Sequence, residues 1–135
     1  MARFYLLFSA AGLLLVALSY GVAPADVLPK LMDLKIEGTD LTHILRAVMG
    51  LYLGMIVLWV IGAFRLDFTR AAVISEIFFM LGLAGGRLLS ITVDGVPSIP
   101  LVLYTIVEIV LGIWGIWVLM TQGPKQQAST ELQTS

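Results

Sequence analysis

Five ionisable side chains stand inside long apolar stretches of this chain: His43, Arg46, Glu76, Arg87 and Glu108. Asp40 and Asp94 sit at the margins of two of those stretches. A charge near a bilayer centre costs about 2.5–3.5 kcal/mol on insertion scales, so each of these groups asks for a partner. An Arg46–Glu108 or Arg87–Glu108 ion pair would fix helix register. Alternatively, both arginines reach out to the headgroups and need no partner. A third arrangement is a polar pocket opening to the outer side. Two arginines and one histidine against a single buried glutamate leave positive charge over, which suits an anionic or polar ligand group. His43 taken alone reads as a satisfied helix-end histidine rather than a catalyst. Glu76 has no nearby basic residue on its own helix, Arg70 being six positions away and off its face. It reads as a candidate proton site, or as a carboxyl bonded to a Ser, Thr or Tyr hydroxyl on a neighbour.

Four hydrophobic segments must position these groups, at about 4–23, 41–64, 68–91 and 100–121, each long enough to cross a bilayer. In the second, His43, Arg46, Ala47, Gly50 and Gly54 fall on one helical face. That face predicts close packing against other helices of the bundle. Gly82, Gly86, Gly112 and Gly115 read as packing devices of the same kind. Glu76 and Arg87, eleven residues apart, share a face of the third helix, separated by about 16 Å of rise. Glu108 lies at the level of Arg87, with His43, Arg46, Asp40 and Asp94 towards the same outer end. Trp114 and Trp117 fit either an interfacial belt or lipid-facing bulk.

The connections are short. Residues 24–40 mix charges with Val27, Leu28, Leu31, Met32 and Leu34, and read as an outer loop or an interfacial segment. Gly38-Thr39-Asp40 supplies a break and a cap, and Asp67 and Ser98 are N-cap positions for the last two helices. Residues 122–135 are polar and lack aromatics, the composition of a disordered tail. Arg3, the apolar run to Ala23 and Ala23-Pro24-Ala25 raise a signal peptide. The run is longer than a signal core and Pro24 falls inside the cleavage motif, which favours a retained first helix.

Composition agrees with lipid as the solvent. The 135 residues are 59% hydrophobic and 13% charged, against about 45–50% and about 25% in soluble domains. The fold class expected is therefore all-α, one four-helix antiparallel membrane bundle over 1–121. A net charge of −1 offers no basic field, which sets nucleic acid aside. With no cysteine and one histidine, disulfides and thiol chemistry are excluded, and no metal site or cofactor is expected. No phosphate loop, zincin motif, nucleophile elbow or dinucleotide fingerprint is present. Arg3, Arg65, Arg70 and Lys125 fall on one side, and Lys30 and Lys35 on the other. That bias places both termini in the cytoplasm of a bacterial inner membrane.

Two blocks carry a resemblance. Glu37-Gly38-Thr39-Asp40-Leu41-Thr42-His43 through Arg46-Ala47-Val48-Met49-Gly50-Leu51-Tyr52-Leu53-Gly54 is one; Gly86-Arg87-Leu88-Leu89-Ser90 with Val93-Asp94-Gly95-Val96-Pro97 is the other. Together they resemble domain-of-unknown-function family 4345, over roughly Phe4 to Met120. More distantly the chain is similar to DoxX-like four-helix membrane proteins, some of which accompany quinone-linked redox systems. The resemblance implies a four-helix membrane protein without an assigned activity.

The functional expectation is a non-enzymatic membrane protein: an accessory subunit, or a binder of a lipid, quinone or other amphiphile at the outer cluster. The alternatives are a small oligomeric proton-coupled carrier using Glu76 and Glu108, and a membrane enzyme with His43 as acid or base. Expected partners are membrane lipid, a quinone or amphiphile, and a larger membrane complex or further copies of the chain.

Overall fold

In lipid a spanning segment must satisfy its own backbone N–H and C=O groups, so the apolar stretches of this chain become helices. The structure, a computed structural model, describes residues 1–134, with side chains to Thr121. Its elements are α1 (Ala2–Gly21), α2 (Pro24–Leu31), α3 (Thr39–Phe64), α4 (Leu66–Val93) and α5 (Ile99–Thr134). Among the described residues there is no strand. Four helices are long and apolar enough to cross a membrane: α1, α3, α4 and the Ile99–Thr121 part of α5.

α2 occupies the first part of the segment read as an outer loop or interfacial stretch. Pro24 starts it, where a missing N–H costs nothing. Pro24 and Leu28 are buried while Asp26 and Lys30 are exposed, so this short helix is two-faced. Gly38, at φ 86°, turns the chain into α3 and is itself the N-cap. No side chain caps that end; the Thr42 hydroxyl donates back to the Gly38 carbonyl at 3.3 Å. Asp67 is not the cap of α4, which falls on Arg65. It lies in the first turn, where its carboxylate accepts from Arg65 at 3.1 and 3.3 Å beside the positive helix end. α5 keeps a helical backbone through Thr134, over the stretch whose polarity reads as a disordered tail. Its side chains lie outside the described residues.

α1 packs along α3, α3 on α4 and α4 on α5, and α5 returns to α1. The core collects Tyr5, Leu6, Ala10, Leu13 and Ala17 from α1, and Tyr52 and Trp59 from α3. α4 adds Ala72, Val73, Ile77 and Met80, and α5 adds Leu111 and Val118. Trp59 is fully buried, donates to Ser75 Oγ at 3.2 Å and meets Phe79 edge-on at 5.5 Å. Arg3 lies 4.4 Å over the Phe64 ring, so the start of α1 and the end of α3 share one end of the bundle.

The inward face of α3 is not the one the sequence suggests. His43, Arg46, Ala47, Gly50 and Gly54 are all exposed, and Tyr52, half a turn round from His43, points into the core. The physical reason is that lipid accepts either face of an all-apolar helix, so small residues do not say which face is covered. Gly50, Gly54, Gly82 and Gly86 have nothing within 4 Å of where a Cβ would stand. Close approach falls instead on Gly21, Gly62, Gly112 and Gly115. Gly50→Ala and Gly54→Ala are therefore expected to leave stability unchanged or raise it by up to about 1 kcal/mol, through helix propensity. Thermal unfolding in detergent reads this, and a clear loss would mean that the face is packed.

Candidate functional site

α4 and α5 run antiparallel, so Arg87, six residues before the end of α4, meets Glu108, nine residues into α5. Arg87 Nε donates to Glu108 Oε1 at 3.0 Å and to Oε2 at 2.9 Å. The side chains keep 20% and 9% of their surface exposed, so the pair is set in but not sealed. Both bonds come from Nε. The terminal nitrogens are not taken up by Glu108, and the Tyr20 hydroxyl faces the same guanidinium. A guanidinium carries five N–H donors in a fixed fork, so donors remain beyond those that Glu108 and Tyr20 engage.

Tyrosines from three helices surround the pair. Tyr104 lies one turn before Glu108, its ring centroid 5.8 Å from the Arg87 guanidinium carbon. Tyr20, next to the last residue of α1, turns towards the same guanidinium. Tyr52 of α3 lies within electrostatic reach of both Arg87 and Glu108, and its ring centroid is 6.1 Å from that of Tyr20. Below them Tyr52, Phe79 and Trp59 continue edge to face at 5.4 and 5.5 Å. The result is a charged pair with spare donors above an aromatic floor. Hydroxyls and a guanidinium fork of this kind recognise oxygen acceptors, and the rings accept a flat or apolar body.

Of the residues singled out in the sequence, only Arg87 and Glu108 pair. Arg46 is exposed and donates from Nε to the Gly21 carbonyl at 3.4 Å, beside Tyr20 on the rim. The Arg46–Glu108 alternative does not form. His43 and Asp40 are exposed on the outer turns of α3. Asp94, exposed at the end of α4, accepts from Ser90 Oγ at 2.8 Å. Glu76 is fully buried elsewhere, facing Ser9 and Tyr5 of α1. Among the described residues no three His, Asp or Glu side chains converge on a common point, as a metal ion requires.

Tyr20, Tyr52 and Tyr104 are absent from the sequence reading. Tyr104 is recoverable, since it precedes Glu108 by four residues and shares its helix face. Tyr20 and Tyr52 depend on helix rotation, which an apolar period does not specify.

A family model described as a domain of unknown function, DUF4345, matches residues 1–119 of the chain. No curated protein and no solved structure matches it.

Proposed function

The chain belongs to the DUF4345 family, and we propose that it is a non-catalytic membrane protein that binds an amphiphile through an oxygen-bearing head. The observation that carries this reading is the Arg87 guanidinium, fixed to Glu108 through Nε alone with its terminal nitrogens turned among three tyrosines. Glu108 cancels the charge of Arg87 without occupying its fork, so the site offers donors rather than net charge. That suits a neutral carbonyl head, such as a quinone, as well as a phosphate whose charge Arg46 on the rim would meet. The DoxX-like resemblance points in the same direction by analogy alone. The charge bias of the connections sets this site towards the outer side of a bacterial inner membrane, with both termini cytoplasmic.

A titration with a short-tailed quinone, followed by tryptophan emission, tests this, with a short-chain phospholipid as the second arm. Saturable quenching is expected with the wild-type protein in at least one arm. Tyr104→Phe removes a donor worth about 1 kcal/mol and should weaken binding by about fivefold. Binding that is non-saturable in both arms contradicts the proposal.

A further inference from the structure

We propose that Glu76, together with Ser9 and Tyr5, forms a buried proton-binding site between α1 and α4, separate from the Arg87–Glu108 centre. The two centres are eleven residues apart on α4, about 16 Å of rise. Glu76 is fully buried, and both of its carboxyl oxygens lack a hydrogen-bond partner. Ser9 is 1% exposed, and its Oγ is likewise unpartnered. The Ser9 and Tyr5 side chains are the polar groups that face the carboxyl.

The donor count decides what the carboxyl must be. The Tyr5 hydroxyl donates to the Leu111 carbonyl at 2.9 Å, and a carbonyl can only accept. The single proton of Tyr5 is therefore committed to α5, and the oxygen turned towards Glu76 presents lone pairs. Ser9 supplies one donor at most. An ionised Glu76 would place one oxygen against another acceptor in a fully buried site, a strongly unfavourable arrangement. A proton on that oxygen supplies the missing donor, directed at Tyr5 or at a water between them. The surrounding elements offer no counter-charge. α1 brings Tyr5 and Ser9, and Gly115 of α5 stands against the same Tyr5 hydroxyl. Among the described residues no arginine, lysine or histidine pairs with Glu76.

Dicyclohexylcarbodiimide, an apolar reagent that adds to protonated carboxyls, tests the site on the full-length protein in detergent. At neutral pH an adduct mapped to Glu76 is expected; it should fall away as the solution is made alkaline and be lost in Glu76→Gln. The adduct should persist in Arg87→Lys, which leaves this interface untouched. The infrared difference between wild type and Glu76→Gln reads the same proton without a reagent. It should contain the carbonyl band of a protonated acid, sensitive to exchange into heavy water. Absence of that band overturns the proposal whatever the reagent does, and its presence without an adduct supports a site closed to the reagent.

Discussion

Arg87→Ala is expected to lower stability by about 3–5 kcal/mol, because it strands a buried carboxylate without its cation. Glu108 keeps only 9% of its side-chain surface, against 20% for Arg87. Glu108→Ala should therefore cost less, since a more exposed guanidinium on a long stem can turn towards water or headgroups. The double replacement should recover part of the Arg87→Ala loss, because neither charge then stays buried alone. Thermal unfolding of the four proteins in one detergent gives the coupling. Additive losses would mean that the two side chains do not interact.

Gly115→Leu carries the second large effect. A Cβ at that position would overlap the Tyr5 hydroxyl and stand 2.6 Å from Ile77 Cγ1. Tyr5 and Ile77 belong to α1 and α4, so a larger side chain must push α5 from both at once. Overpacking of this kind costs about 1–3 kcal/mol. In a membrane the loss is felt as contact rather than as hydration, because lipid is as apolar as the core. The Tyr5 bond to Leu111 should be broken as well, loosening the surroundings of Glu76. Gly82→Leu, with nothing within 4 Å of its Cβ position, serves as the comparison and should change the unfolding temperature little. Equal losses at both positions would contradict the assigned helix rotations.

These two predictions rest on different layers of legibility. The helices could be read directly, because length and continuous apolarity in lipid leave the backbone few alternatives. The pairing of Arg87 with Glu108 was legible as one arrangement among several, beside Arg46–Glu108, arginines turned to the headgroups and an open polar pocket, since antiparallel helices bring equal depths together. What could not be read was rotation. His43, Arg46, Gly50 and Gly54 share a face, but that face looks outward, and Tyr52 opposite looks in. In water the apolar stripe would have marked the core; in lipid every side is apolar and the marker disappears. Tyr20 and Tyr52 beside Arg87, and the Ser9–Tyr5 surroundings of Glu76, follow from rotation, which an apolar sequence does not specify.

Whether the donors of Arg87 hold a ligand is isolated by Arg87→Lys. Lysine keeps a cation for Glu108, so the bundle should survive, but it has no planar fork to offer a head group. The most direct measurement is native mass spectrometry of the wild-type and Arg87→Lys proteins, each extracted gently from the producing membrane. A small amphiphile is expected on the wild-type chain and should be reduced by about tenfold or more in the variant, the effect of losing hydrogen bonds worth about 1.5–3 kcal/mol. A wild-type chain that carries nothing, or a ligand retained equally by both proteins, would contradict the proposed function.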